Sequence, residues 1–307
     1  MSEIVVSEFM HEPALSGLAP RPVLYDPTLV EDRPRLLAAL RGARAVIVRN
    51  RTQVNAELLA AAPGLRVVGR LGVGLDNVDQ EACRARGVAV RPATGANAAS
   101  VAEYVLGAAL ALLRGVFHAN GSMLAGDWPR GALMGGELGG RALGLYGFGV
   151  IARETAARAR ALGMRVVAHD PHLAADDPAW SGVERLERGA LLERADVLSL
   201  HVPLTPETRG LIDVEALALM KPGAALINTA RGGVVDETAL AAALKAGRLG
   251  GAALDVFETE PLTEAAARVF EGCPNLILTP HIAGVTRESD VRVSELTVAN
   301  VAEALNG

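Results

Sequence analysis

Short apolar runs separated by stretches of helical spacing recur along the whole chain. In the first hundred residues the runs are 4–6, 23–25, 45–48, 67–68 and 88–90, rich in Val and Ile, with helical patterns at 33–40 and 56–61 between them. Such alternation argues for a parallel sheet with helices on both faces. Residues 98–113 read as one long apolar helix, with Ser100 and Glu103 near its start, leading into a second block. The segment 115–140 is Gly-rich, carries Trp128-Pro129 and reads as an irregular extended arm whose exposed apolar residues would suggest a dimer contact. Beyond it come strands at 197–200, 225–228, 252–254 and 276–278 and helices at 213–220 and 236–246, the latter closed by Gly247. That count suits a doubly wound sheet of six or seven strands. A last helix, 288–305, is long enough to return to the first block, which predicts one domain from 1–97 with 284–307 and another from 98–283.

Composition narrows the class. The chain has 307 residues, half of them apolar, enough for about two domains. A net charge of −5 provides no basic field, so nucleic acid is not expected as a partner. The longest greasy stretch, 104–113, follows Glu103 and is too short to span a bilayer, and Met1-Ser2-Glu3 has no basic signal region, so a soluble cytoplasmic protein is expected. Cys83 and Cys273 lie far apart without metal-ligand spacing; both are expected to be ordinary buried thiols, and no metal is expected.

The densest motif spans 141–170. An apolar run meets Gly147-Phe148-Gly149-Val150-Ile151-Ala152, a helical pattern stops at Gly163, and a second β-rich run closes on Asp170. This is a βαβ unit with a dinucleotide fingerprint. Gly147 suits the tight turn, Gly149 lets backbone approach a pyrophosphate, and Ala152 allows close packing of helix on strand. The helix N-terminus would direct N–H groups at the phosphates. Asp170 would take the ribose hydroxyls and repel a 2′-phosphate, favouring NAD over NADP. The pattern Gly-x-Gly-x-x-Ala alone also fits a structural turn; its βαβ setting points to the nucleotide.

In open α/β sheets function gathers at the carboxyl ends of strands. Arg231, Glu260 and His281 each follow a different predicted strand there. Oxidising an alcohol requires a base for the hydroxyl proton, which suits His281 near neutral pH. A carboxylate bonded to the imidazole would orient it, and Glu260 is the candidate. Arg231 could hold a substrate carboxylate and polarise the adjacent carbonyl. Singly, these would be a structural histidine, a helix-capping acid and a surface charge; their joint placement favours catalysis.

The sequence resembles the D-isomer-specific 2-hydroxyacid dehydrogenases across essentially its whole length. The matching segments are RLGVGLDNVD (70–79), ANAASVAE (96–103), the GFG turn, HDP (169–171), HVPLTPETRGLI (201–212), INTARGGVVD (227–236), LDVFETEP (254–261) and TPHIAG (279–284). The resemblance implies an α/β fold of two doubly wound parallel-sheet domains, a Rossmann NAD-binding domain and a smaller flavodoxin-like substrate domain. It puts Arg231, Glu260 and His281 in the catalytic positions. Val73 and Gly74 fall where backbone N–H groups hold the substrate carboxylate, and Asp255 where a carboxylate meets the nicotinamide amide. The implied cofactor contacts are Gly147, Phe148, Gly149, Val150, Ile151, Asp170, His201, Val202, Pro203, Thr208, Thr229, Ala230, Arg231, Asp255 and His281. A homodimer through 98–140 is expected. The chain ends at Gly307, so the C-terminal regulatory domain of long phosphoglycerate dehydrogenases, and serine control through it, is not expected.

Substrate choice is expected from the first domain. Arg49-Asn50-Arg51-Thr52 follows a strand and resembles the RSRT segment of phosphoglycerate dehydrogenases, so Arg49 and Arg51 would select an acid with a second anionic group. Solvated surface charges are the alternative. The opening IVVSEFM, with VRNRTQV and RLGVGLDN, also resembles (S)-sulfolactate dehydrogenases, whose sulfonate would use the same arginines. Charge patterning does not separate phosphate from sulfonate. A glycerate or glyoxylate type of reductase, and an NAD(H)-sensing corepressor-like binding protein, are the competing functions.

Overall fold

The computed structural model describes residues 2–307; Met1, part of the N-terminal reading, lies outside the described residues. The chain forms two compact units, 1–97 with 285–307 and 98–284.

In the first unit, strands β1 (Ile4–Val6), β2 (Val23–Tyr25), β3 (Ala45–Val48), β4 (Val67–Arg70) and β5 (Ala89–Pro92) form a parallel sheet in the order β2-β1-β3-β4-β5. This is the flavodoxin-like order. β1 and β3 are buried throughout, as expected of central parallel strands covered on both faces. One face packs on the helices Arg33–Ala39, Ala56–Ala61 and Gln80–Ala85, around Leu36, Leu58, Leu59 and Cys83. The other takes the helix Arg287–Asn306 through Val293, Val298, Val301 and Leu305. Thr286 starts that helix with a capping box, its hydroxyl accepting from the Ser289 N–H. Close approach of helix to sheet depends on Gly69 in β4: a Cβ there would lie 2.5 Å from a Val301 methyl.

In the second unit, β6 (Ala142–Tyr146), β7 (Arg165–His169), β8 (Glu184–Arg185), β9 (Val197–Leu200), β10 (Ala225–Asn228), β11 (Gly251–Leu254) and β12 (Leu276–Leu278) form one parallel sheet ordered β12-β11-β10-β9-β6-β7-β8. Strand order reverses between β6 and β9, the switch point of a Rossmann sheet. The helices Ala98–Arg114 and Val150–Ala161 cover one face, and Arg188–Arg194, Val214–Leu219 and Glu237–Lys245 the other. Gly163 and Gly247 take the left-handed conformation just beyond their helices.

Several expectations need correction. The run 115–140 is not wholly irregular: a short helix, Asn120–Leu124, interrupts it. The strand expected at 67–68 continues to Arg70, and that expected at 88–90 begins one residue later and ends at Pro92. β8 and the helices Gln80–Ala85 and Arg188–Arg194 had no distinct apolar pattern; β8 is two exposed charged residues. Cys83 is buried, but Cys273 is only partly so, and both are free thiols. Among the described residues no helix is long and apolar enough to cross a membrane.

Val301 is fully buried, and a Cβ at Gly69 would also crowd the Thr297 and Ile47 side chains at 3.0 and 3.3 Å. Gly69→Val is therefore expected to cost about 1–3 kcal/mol and lower the thermal midpoint of unfolding. Gly64→Ala, whose Cβ would meet only an ordinary contact at 3.6 Å, should leave it unchanged.

Candidate active site

Six loops of the second unit, those after β6, β7, β9, β10, β11 and β12, lie at the carboxyl ends of its strands. After β6 the chain turns at Gly147, where φ is +87° and a Cβ would lie 2.5 Å from the His201 carbonyl oxygen. Gly149 is the N-cap of the helix Val150–Ala161; it offers no side-chain cap, and a Cβ there would meet nothing within 4 Å. An open glycine at the uncapped start of a twelve-residue helix leaves room and N–H donors for a phosphate group. Val150 is exposed, Ile151 half-buried and Ala152 buried against β6. Asp170 braces the turn: its carboxylate accepts from Phe148 N–H at 2.8 Å and His172 N–H at 2.9 Å. Phe148 is buried and stacks on Trp180, with ring centroids 5.0 Å apart.

His201 follows β9. Its N–H donates to Tyr146 O at 2.7 Å, and its Nε2 lies 3.0 Å from Ser199 Oγ. Burial pushes the imidazole down to about 4, so it is neutral in the working pH range. The adjoining loop through Val202 and Pro203 is closed by Thr208, whose hydroxyl donates to Pro203 O at 2.6 Å. Thr229 Oγ1 is buried with no hydrogen-bond partner among the described residues. An orphaned hydroxyl is costly unless a ligand completes it. With the open glycine turn and the placed Asp170, it makes this face fit a dinucleotide.

Arg231 sits just past β10 on a turn held by the buried Asn228, which accepts from Ala230 N–H at 3.0 Å and donates to Arg231 O at 3.0 Å. The guanidinium reaches back to Ala230 O at 2.6 Å. At Gly232 a Cβ would fall 1.7 Å from the Phe257 carbonyl oxygen, so only glycine lets this turn lie against the loop after β11. That loop carries Glu260. One carboxylate oxygen accepts from Phe257 N–H at 3.0 Å, and the other lies 2.7 Å from His281 Nδ1. The His281 side chain is 48% exposed, and with Nδ1–H facing Glu260 its Nε2 is the nitrogen left for a substrate.

His281 itself sits in the left-handed region, φ +53°, rare for a residue with a side chain. Asp255 holds that turn. Its buried carboxylate accepts from Thr279 Oγ1 at 2.6 Å and from the N–H groups of Ile282 and Ala283 at 2.8 Å each. Asp255 thus has a structural duty that its motif alone did not reveal. Tyr104, 2.6 Å from Thr279 Oγ1, extends the chain of hydrogen bonds. Glu237 accepts from Glu258 N–H at 2.7 Å; burial and the charges of Glu258, Asp236 and Glu260 push its carboxyl above its usual value.

In the first unit the loops after β3 and β4 carry the remaining expected groups. The Arg49 guanidinium donates to Asp290 at 2.9 Å and to Phe9 O at 3.2 Å. Arg51 is exposed, its guanidinium 3.5 Å from Glu31. Val73 and Gly74 lie in the half-exposed bend after β4. Asn77 ties the two loops together, its Nδ2 donating to Thr52 O at 2.7 Å and Arg49 O at 3.4 Å. The roles of Asn77, Trp180 and Glu237 are not legible in the sequence because each rests on a contact distant along the chain, and that of Asn228 because its motif does not distinguish an amide that holds its own turn.

Residues 106–283 match the NAD binding domain of the D-isomer specific 2-hydroxyacid dehydrogenases. The chain is 61% identical over 307 residues to an (S)-sulfolactate dehydrogenase of Chromohalobacter salexigens, covering 99% of each. It is 46% identical over 276 residues to a D-3-phosphoglycerate dehydrogenase of Mycobacterium leprae, covering 90% of this chain and 52% of that one. The crystal structure of D-lactate dehydrogenase from Aquifex aeolicus, complexed with NAD and lactic acid, aligns with a TM-score of 0.84 and 29% identity, covering 99% of this chain and 96% of that one.

His201 yields a pH test. Its folded value, about 4, lies below its ordinary 6.5, so the unfolded chain binds more protons between the two. Stability is full above pH 6.5 and falls as pH drops toward 4. Wild-type thermal midpoints over that interval should fall more steeply than those of His201→Gln; parallel curves would contradict the assignment.

Proposed function

Because the chain belongs to the D-isomer specific 2-hydroxyacid dehydrogenase family, we propose that Arg231, Glu260 and His281 carry its reaction, each in the role its geometry suits. The chain is an NAD-dependent oxidoreductase acting on the CH–OH group of a small 2-hydroxy acid. NAD, when bound, supplies the hydride acceptor or donor for the substrate's C2. His281 takes the hydroxyl proton on Nε2 during oxidation and returns it to the carbonyl oxygen during reduction. Glu260 fixes the ring through Nδ1. Arg231 holds the substrate carboxylate and polarises the carbonyl, with the Val73 and Gly74 N–H groups as further carboxylate donors. The observation that carries this reading is the 2.7 Å contact between Glu260 and His281.

For the cofactor, the glycine turn with Val150 and Ile151 takes the pyrophosphate. Asp170 takes the ribose hydroxyls, its charge disfavouring NADP. The segment around His201, Val202, Pro203 and Thr208, the turn with Thr229 and Ala230, and Asp255 line the rest of the NAD site.

The substrate carries a second anionic group, taken by the loop that presents Arg49 and Arg51. A guanidinium gives a tetrahedral oxyanion two parallel N–H donors, which suits sulfonate and phosphate alike. Identity of 61% over the full length of an (S)-sulfolactate dehydrogenase favours the sulfonate, since the phosphoglycerate dehydrogenase match spans about half of that relative. The working protein is a cytoplasmic homodimer joined through the helix Ala98–Arg114 and the following arm. There Phe117, Leu124, Trp128 and Met134 expose 64, 89, 78 and 86% of their surface. At a net charge of −5 neither nucleic acid nor membrane is a partner.

NADH oxidation with sulfopyruvate, 3-phosphohydroxypyruvate, hydroxypyruvate, glyoxylate and oxaloacetate tests this reading. Sulfopyruvate should give the highest kcat/KM. His281→Ala should lower kcat by about a hundredfold to ten-thousandfold with NADH affinity unchanged. Turnover of no acid by the wild type would instead favour an NAD(H)-sensing binding role, and near-normal turnover by His281→Ala would refute the proton assignment.

A further inference from the structure

Glu8 is a buried carboxylate, 4% exposed, immediately after β1 and its flanking Ser7. Its two oxygens accept from four consecutive backbone N–H groups: Arg49 at 2.8 Å, Asn50 at 3.3 Å, Arg51 at 3.1 Å and Thr52 at 2.9 Å. Four successive donors converging on one anion form a backbone nest, a geometry that proteins otherwise use for bound phosphate or sulfate. Here the fold supplies the anion itself. The Ser7 hydroxyl, 3.0 Å from Thr52 Oγ1, and Asn77 fix the same loop from its other sides.

We infer that Glu8 is the positioning residue of the substrate-selecting loop: it fills the nest at 49–52, leaving side chains to meet the second anionic group of the substrate. This rests on the reading that the loop takes that group. Were the nest open, its N–H groups would offer any small anion a backbone site with no preference for a two-anion acid. With Glu8 in place, backbone donors are occupied and the loop is set before substrate arrives. Asp290 holds the Arg49 guanidinium in a salt bridge at 2.9 Å, while the exposed Arg51 guanidinium lies 3.5 Å from Glu31. The selecting charge thus falls to Arg51, on a backbone that Glu8 holds. Glu8→Gln removes the charge and turns an amide N–H₂ toward N–H donors, so the nest cannot close around it.

Steady-state kinetics of full-length Glu8→Gln, with sulfopyruvate and glyoxylate as two- and one-anion acids, test the inference. KM for sulfopyruvate should rise about tenfold or more, roughly the worth of one charge-assisted contact. Its kcat, the KM for glyoxylate and NADH affinity should stay near wild type. An equal rise for both acids, or no rise, overturns the inference. Arg51→Ala run beside it separates the two levels. If Arg51→Ala loses the preference and Glu8→Gln keeps it, Glu8 is not the positioning residue. If both keep it, the loop does not select the anion and the reading beneath fails too. Hydrogen exchange on the wild type needs no variant. The amides of 49–52 should be protected in the substrate-free enzyme and little changed by sulfopyruvate, whereas rapid exchange without substrate overturns the inference.

Discussion

The hydrogen bond between Glu260 and His281 is the constraint on which the site depends, because two side chains on separate loops meet only if everything beneath them is in register. β10, β11 and β12 pair in parallel, Asn228 opposite Leu254 and Leu254 opposite Leu278, so their carboxyl ends finish at one level. Asp255 then holds His281 in a backbone conformation that an L-residue seldom adopts. Residues in such regions persist where surrounding bonds over-determine them, and three hydrogen bonds accepted by one buried carboxylate do so here. Gly232 brings the Arg231 turn against the Phe257 carbonyl on the neighbouring loop. Arg231, Glu260 and His281, the groups proposed to react, are half-buried or exposed, while Asn228 and Asp255, which hold their turns, are buried and hydrogen-bonded.

One device recurs in both units: a side-chain carboxylate or amide that accepts from the backbone N–H groups of a loop. Asp170 braces the glycine turn, Asn228 the Arg231 turn, Asp255 the His281 turn and Glu8 the loop at 49–52. Loops at strand ends cannot pair their own N–H groups as strands do, and a buried acceptor supplies what the ladder no longer can. Rigid loops presenting a few outward-facing charges suit a reaction in which reacting atoms must be held close and aligned.

Much of this was legible in the sequence, for identifiable reasons. Runs such as Ile4–Val6 and Ala45–Val48 are buried on both faces and therefore apolar without interruption. The glycines of the 147–149 turn and the residues Arg231, Glu260 and His281 stand in motifs that place them just past strand ends. What stayed hidden depends on contacts distant in sequence. Gly69 looks like a strand breaker until the helix Arg287–Asn306 is laid across it. Glu8 looks like an ordinary surface acid until β1 and β3 become neighbours. Asp255 sits in a recognisable motif, yet its grip on residues 279–283 shows only once β11 and β12 pair. β8 is short, charged and exposed, and only its pairing with β7 makes it a strand.

The central claim is that Glu260 acts through His281, and a double-mutant cycle on kcat/KM tests it most directly. Glu260→Gln, His281→Ala and the double variant would be compared at neutral pH with the best keto acid of the panel. Residues acting as one unit give grossly non-additive losses. The double variant should therefore be within about threefold of His281→Ala alone. A double variant slower by the product of the two single losses would mean that Glu260 and His281 contribute independently, and would contradict the account.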